Sequence, residues 1–411
     1  MNNSLSSTFQ VSDLIYQVLS DNQVAVIKIA NESLTSLVIP DQVEYDGHSY
    51  AVTTISDLAF LACKDLQSIH LPTSVTMIGK DAFYWCLSLQ SLVIPASVQS
   101  IGARAFAGCE GLISIIVDAA NPYYDSRDNC HAIIETATNT LIAGCQNSHI
   151  PDGITEIGDD AFCDCGTLTS LVLPASLQHI GDRAFSSCHS LSSILFPASL
   201  VRIGSDAFAY CYSLDSLTIP ASVTMIGSGA FTGCAELTSI VVDAANSCYD
   251  SRDNCHAIIE TTTNMLIAGC QNTQIPDGIT AIGDSAFGGC SHLTSLLLPF
   301  GLTHIGEQAF YHCDHLTSIV VPDSVTTIGD GAFENCYDLS SIHLGESVES
   351  IGEGAFFACK NLESITLPAS VVEVGAYAFS GCDSLRSIQI PEALMEVGYD
   401  AFPEDTKVIL Y

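Results

Sequence analysis

The chain has 411 residues, 48% of them apolar, and its 11 basic and 46 acidic side chains give a formal net charge of −35. This apolar share is enough to build a large core, whereas the negative charge repels nucleic-acid phosphates and anionic lipid headgroups, so that both are poor partners. No apolar run reaches the roughly 20 residues that span a bilayer.

The N-terminal segment predicts two β-hairpins. Residues 9–29 alternate in polarity around a turn at residues 20–22, and residues 38–55 turn at Asp46-Gly47, a dipeptide typical of tight hairpins. We expect residues 1–55 to cap the segment that follows, because the open end of a repeat array exposes core and strand edges. The first ten residues lack the basic and apolar regions of a secretory signal.

One repeat dominates residues 56–411. Phe is followed three residues later by Cys at twelve places, most of them 23 residues apart, and Phe402 is a further copy without the Cys. An interval of this length predicts a leucine-rich repeat solenoid of 23-residue coils, with one main parallel sheet, short helical turns and a capping strand at 403–411. The twelve are Phe60, Phe83, Phe106, Phe162, Phe185, Phe208, Phe231, Phe287, Phe310, Phe333, Phe356 and Phe379.

Each coil begins its strand with a serine, eight residues after the Phe, and the next outward position is mostly aliphatic. Alternate side chains of a strand share a face, so this pattern predicts a serine ladder beside an exposed aliphatic stripe on the concave face. The stripe either stabilises the sheet by cross-strand packing or binds a ligand. The candidate ligand-binding residues are Val93, Ile116, Val172, Leu195, Thr218, Val241, Leu297, Val320 and His343.

Two insertions, residues 118–150 and 243–275, interrupt the rhythm and differ from each other at only six positions. Their near-identity indicates duplication of a block. Insertions that leave a regular solenoid on one side are common places for binding loops. We therefore expect both insertions to contribute to binding.

The eighteen cysteines do not form a catalytic or metal-binding pattern. We expect the twelve repeat cysteines to be free and buried, because stacked side chains suit disulfide geometry badly. A disulfide between Cys130 and Cys145, and its copy between Cys255 and Cys270, is left open. The acidic loop at 125–129 and its copy lack the Gly and distal Glu of a calcium loop and favour an Asp/Asn turn network.

No motif of an established catalytic class occurs, so we predict no catalytic, cofactor-binding or metal residues and no enzyme. A carbohydrate-active enzyme is the weakest alternative. Its paired carboxylates would need a deep pocket, which a regular solenoid does not obviously provide.

The segment SLTIPASVTMIGSGAFTGC (216–234) resembles the repeat of BspA-like leucine-rich repeat proteins, and the resemblance extends from about residue 33 to the end. It implies a bacterial or protozoan surface protein associated with adhesion to host matrix proteins, host cells or other microbes. The expected function is a non-enzymatic cell-surface or secreted protein that binds a protein or glycan. The alternative is an intracellular scaffold or passive spacer, and a cytoplasmic location stays open because no signal peptide is found.

Overall fold

The structure is a computed structural model that describes residues 7–411 and contains two compact units, Met1–Leu191 and Ser192–Tyr411. Residues 1–6 of the predicted cap lie outside the described residues. Each unit is a solenoid of stacked coils whose strands pair in register across intervals of 23 residues, as Ile78 does with Ile101 and Ile305 with Ile328. The predicted leucine-rich repeat fold class is confirmed.

Antiparallel strands form the N-terminal end of the first unit, at the positions of the two predicted hairpins. Asp46 and Gly47 both have positive φ, 48° and 77°, as a tight two-residue hairpin turn requires. The last strand of this segment pairs in parallel with the first coil, so it continues directly into the solenoid. The strands are Thr8–Val11, Leu14–Ser20, Gln23–Ile29, Gln42–Tyr45 and His48–Ile55.

We call the stacked strands that begin with the repeat serines the serine column. The strands pair in parallel and in register, serine beside serine. In the first unit they are Ser36–Val38, Ser68–His70, Ser91–Ile94 and Ser114–Val117. In the second unit they are Ser216–Ile219, Ser239–Val242, Ser318–Val320, Ser341–His343, Ser364–Thr366 and Ser387–Ile390, and the C-terminal strand Lys407–Leu410 pairs with the last of these.

Each unit also has a second column of parallel strands, most of them two residues long, in addition to the predicted sheet. Its first-unit members are Met77–Ile78, Ser100–Ile101, Glu156–Ile157 and His179–Ile180. Its second-unit members are Arg202–Ile203, Met225–Ile226, Ala281–Ile282, His304–Ile305, Thr327–Ile328, Ser350–Ile351, Glu373–Val374 and Glu396–Val397. In most of these strands the second residue is a buried Ile or Val, so this column closes the core.

The repeat phenylalanines form the centre of each core. Phe333 is fully buried, and its ring stacks on Phe310 at 5.0 Å and on Phe356 at 5.3 Å between centroids. In the first unit Phe83 stacks in the same way between Phe60 and Phe106. Such offset stacks add to the free energy of burying the ring area.

A series of hydrogen-bonded turns runs from two residues before each repeat Phe to one residue after its Cys. We call these segments the turn column. The predicted short helical turns do not become helices there, because a left-handed residue occurs on each side of the Phe, such as Asp81 (φ 54°) and Trp85 (φ 63°) around Phe83. Among the described residues, helix is confined to two 3₁₀ turns, Arg127–Asn129 and Arg252–Asn254.

Both insertions add an antiparallel hairpin to the second column. In the first, Thr140–Ala143 pairs in parallel with the following coil strand at Glu156 and Ile157. The insertion strands are Tyr124–Asp125, Ile133–Glu135 and Thr140–Ala143, and in the copy Tyr249–Asp250, Ile258–Glu260 and Met265–Ala268. The insertions are thus part of the sheet framework of their units.

Candidate functional site

The nine candidate residues all lie at exposed outward positions of the serine column. We call these residues, together with the serines beside them, the serine face. Paired strands bring several into direct register, Val93 beside Ile116, Thr218 beside Val241 and Val320 beside His343. The aliphatic members show between 47% and 86% of their surface. Their neighbours along each strand, such as Leu92 and Ile240, are buried in the core.

The most exposed members of the serine face follow the insertions. Val172, Leu195 and Leu297 are 86%, 83% and 84% exposed, whereas Val93 and Val241 in regular strands are 53% and 47% exposed. In these three coils the strand is reduced to its first serine. The apolar surface available to a ligand is therefore largest in these coils.

Each insertion brings a histidine against the serine face of its own unit. His131 Nδ1 lies 3.2 Å from Ser114 Oγ, and His256 Nδ1 lies 3.4 Å from Ser239 Oγ. Residues 128–129 and 253–254, which precede the histidines, have positive φ, and so do His131 and His256 themselves. Each insertion thus adds an imidazole to the edge of the stripe, which the sequence alone does not indicate.

The acidic loop of each insertion is held by its own arginine. Arg127 Nη2 contacts Asp125 Oδ2 at 2.6 Å and its Nη1 donates to Asn139 Oδ1 at 3.0 Å; Arg252 repeats both contacts with Asp250 and Asn264. The carboxylate of Asp125 raises the pKa of the Arg127 guanidinium further above its ordinary value. The loop is an ion-paired turn, and the described part of the chain contains no cluster of His, Cys, Asp and Glu that could hold a metal ion.

All eighteen cysteines are thiols in this structure. The insertion hairpin shifts register between Ile133 and Ile134, so Cys130 is displaced from the direct pairing with Cys145 that a regular hairpin would give. Cys145 instead lies 3.3 Å from the carbonyl oxygen of His131. Burial raises the pKa of Cys130 to about 11, which keeps it protonated at neutral pH.

The space beneath the insertion differs between the two units. Beneath the first is a cavity of about 190 Å³ lined partly by Arg104, Glu135, Asp160 and Asp164. The corresponding space in the second unit is about 10 Å³, with Gly229 in place of Arg104. The Arg104 guanidinium in the first cavity is paired with Asp81 at 2.8 Å.

Sequence reasoning missed the turn column, where further aromatic residues occur beside the repeat Phe. It contains the single Trp, Trp85, and six of the fourteen tyrosines, namely Tyr84, Tyr210, Tyr212, Tyr311, Tyr337 and Tyr377. Trp85 and Tyr210 occupy left-handed positions, φ 63° and 60°, which are unusual for bulky residues. The signal available in the sequence was the variable pair between Phe and Cys, which a search for periodic positions passes over.

The chain belongs to the family of BspA type leucine rich repeat regions, whose model matches residues 29–127, 140–257, 267–372 and 351–409. This confirms the resemblance found in the sequence. The chain is also similar to a solved leucine rich cell surface protein from Faecalibacterium prausnitzii, with 26% identity over 99% of this chain and 96% of that chain and a TM-score of 0.56.

Two further solved structures share the fold. The pneumococcal vaccine antigen PcpA is 23% identical over 98% of this chain and 93% of its own, with a TM-score of 0.59. A leucine-rich repeat protein from Eubacterium ventriosum is 19% identical over 99% and 97%, with a TM-score of 0.50. No curated protein matches the sequence. Within the described residues, no helix has the length and apolar character needed to cross a membrane.

Proposed function

We propose that this leucine-rich repeat protein is a non-enzymatic adhesion protein, displayed at the cell surface or secreted, which binds a protein or glycan through the serine face and the adjoining insertions. The observation that carries the proposal is the exposure of Val172 on the serine face of the first unit and of Leu195 and Leu297 on the serine face of the second. Extended apolar surface that solvent reaches is the usual mark of an interaction site.

Two further observations support the proposal. The Faecalibacterium protein, 26% identical, is described as a cell surface protein. In each unit an insertion histidine approaches the serine face, which adds a polar group that can orient a ligand on an apolar stripe.

The experiment uses the full chain on an array of purified extracellular-matrix proteins and immobilised glycans. The test variant combines Val172→Lys, Leu195→Lys and Leu297→Lys. Because lysine would place an ammonium group in each apolar contact, we expect the affinity for the bound partner to fall by at least about tenfold, or about 1.4 kcal/mol. Thermal unfolding should be unchanged, since all three side chains are exposed.

The matched control combines Met77→Lys, Met225→Lys and Val397→Lys, which makes the same charge change at exposed apolar positions of the second column. The control should keep the affinity of the natural chain. Equal affinity of the test variant and the natural chain would contradict a role for the serine face. Absence of any partner on the array would favour a scaffold or spacer.

A further inference from the structure

A groove crosses four successive coils of the second unit on the turn column, away from the strands of the serine face. Backbone hydrogen bonds fix the order of the coils: Tyr210 N–H donates to Thr232 O at 2.7 Å, Gly233 to Gly288 O at 2.7 Å, and Gly289 to Tyr311 O at 2.6 Å. We call it the aromatic groove. Its lining residues are Tyr210, Tyr212, Gly233, Ala235, Gly289, Ser291, Tyr311, His312 and Asp314.

Two glycines open the floor of the aromatic groove. Gly233 and Gly289 occupy the left-handed position between Phe and Cys, with φ of 75° and 70°, where neighbouring coils carry tyrosine or histidine. A Cβ on Gly233 would lie 2.6 Å from Tyr210 Cδ1, and one on Gly289 would lie 2.5 Å from the Gly233 Cα. Side chains at these two positions would therefore fill the groove.

Tyrosines form both walls. Tyr210 and Tyr212, 40% and 45% exposed, lie on one wall with their rings 6.3 Å apart and inclined at 68°, and Tyr311 lies on the other. Burial raises the pKa of Tyr210 and of Tyr311 above the ordinary phenol value. Both hydroxyls consequently stay protonated at neutral pH and can donate as well as accept hydrogen bonds.

One wall also carries an ordered polar set. His312 Nδ1 lies 3.2 Å from Asp314 Oδ1, and His312 Nε2 lies 3.2 Å from Asn335 Nδ2, so both ring nitrogens are engaged. The rings of Tyr311 and His312 form a T-shaped pair, with 4.4 Å between centroids and an angle of 87°. Among the described residues, Oδ2 of Asp314 has no hydrogen-bond partner and can accept one from a ligand.

The charge and the width of the groove restrict the ligand. Asp314 and the net charge of −35 disfavour an anion. The two walls are three coils apart, roughly 14 Å at about 4.8 Å per coil. Cation–π contact requires about 6 Å or less from a ring centroid, so a groove that spans three coils favours a ligand larger than one ammonium group.

A flat neutral ligand with apolar faces and hydroxyl edges meets these conditions. The cavity of about 290 Å³ lies close to the lower end of the roughly 300–1,000 Å³ of small-molecule pockets, which suits one sugar ring or two. Tyrosine rings provide large contact area with little loss of side-chain entropy, and Asp314 with the phenol of Tyr311 provides partners for hydroxyls. We propose that the aromatic groove binds a neutral pyranose unit of a glycan, independently of the serine face.

The test measures binding of methyl glucopyranoside, methyl galactopyranoside, methyl mannopyranoside and N-acetylglucosamine to the full chain by saturation-transfer NMR and calorimetry. N-acetylneuraminic acid and tetramethylammonium are the anionic and cationic comparison probes. We expect at least one neutral sugar to bind with a dissociation constant at or below about 1 mM, corresponding to about −4 kcal/mol. Neither charged probe should compete with it.

Tyr311→Ala should weaken binding of the sugar by about tenfold or more, because it removes the aromatic surface of one wall. Tyr311→Phe keeps the ring and should lose less affinity for the sugar than Tyr311→Ala. The comparison separates loss of ring contact from loss of folding. Tyr399→Ala, at a tyrosine 71% exposed and outside the groove, is the control and should bind like the natural chain.

Three results would overturn the inference: no neutral sugar binding at about 10 mM, sugar binding unaffected by Tyr311→Ala, or tyrosine-dependent binding of tetramethylammonium in preference to sugars. The triple lysine variant of the serine face should bind the sugar normally. Loss of adhesion with retained sugar binding, or the reverse, therefore tells the two sites apart.

Discussion

At the scale of single residues, the repeat cysteines do more than fill space. Cys336 Sγ lies 3.1 Å from the carbonyl oxygen of Phe310 in the preceding coil, and Cys359 makes the same contact with Phe333. A thiol at this position packs as an apolar group and also donates a weak hydrogen bond between coils. Serine would donate too, but transfer of its hydroxyl into the core costs more.

The cysteines differ in access to solvent. Seventeen are buried, and only Cys248, which replaces Tyr123 of the first insertion, is partly exposed. We expect a maleimide reagent to label the native chain rapidly at Cys248 alone, since burial protects the other thiols. Mass spectrometry of the labelled peptides measures this.

The matched control for labelling is Cys248→Tyr, which installs the residue of the other copy and should abolish rapid labelling. Denaturation without reductant should then expose all eighteen thiols of the natural chain. A count of fourteen would show that Cys130–Cys145 and Cys255–Cys270 form disulfides and would contradict the thiol state described above.

At the scale of elements, each insertion fits its unit through close contact at a glycine. A Cβ on Gly144 would lie 2.1 Å from Phe162 Cε1, and one on Gly269 would lie 2.2 Å from Phe287 Cε1. Each glycine lets the returning insertion strand approach the ring of the next repeat Phe, which is buried beneath it. The insertion and the next coil therefore pack as one element.

Gly144→Ala should destabilise the first unit by about 1–3 kcal/mol, the usual cost of overpacking a core. Urea denaturation followed by circular dichroism measures the change. Gly166→Ala is the control, because its nearest neighbour, the flexible Glu110 side chain, lies 3.5 Å away. If both variants unfolded at the same urea concentration, the contact between the insertion and Phe162 would not be structurally important.

The sequence predicts the coils and hairpins because their signals are local or periodic. The 23-residue interval of the repeat Phe residues fixes the coil, and Asp46-Gly47 fixes a hairpin turn. The second column was not predicted, since a two-residue strand such as Met77–Ile78 is too short to show alternation.

The serine face was also predictable, because one strand is enough to show which side chains point outward. The aromatic groove was not. It combines residues of four coils, and Gly233 and Gly289 meet across an insertion although they are 56 positions apart in the chain. The positions that form it vary from coil to coil, so no periodic signal marks them.

At the scale of the whole molecule, the buried thiols make the free energy of unfolding depend on pH in the alkaline range. Burial raises the pKa of Cys234 and of Cys313 well above 9.0, and that of Cys165 to about 12. Burial also raises the pKa of Tyr16, to about 12. In every case the folded state keeps the proton that the unfolded chain releases, so the stabilising contribution is complete below the unfolded pKa and is lost as pH rises.

An unfolded thiol has a pKa of about 8.5, so we expect the urea midpoint to be nearly constant from pH 7 to about 7.5 and to fall with increasing slope above about pH 8. Well above pH 8.5, each thiol whose pKa is raised by burial contributes about 1.4 kcal/mol of destabilisation per pH unit. Replacing Cys313, Cys336 and Cys359 by Ala should lower stability at pH 7 through the cavities left and should also flatten the alkaline decline, because three titrating groups are gone. The same decline in the variant and the natural chain would show that these thiols do not control it. In that case another group, such as Tyr16, would have to account for the loss of stability.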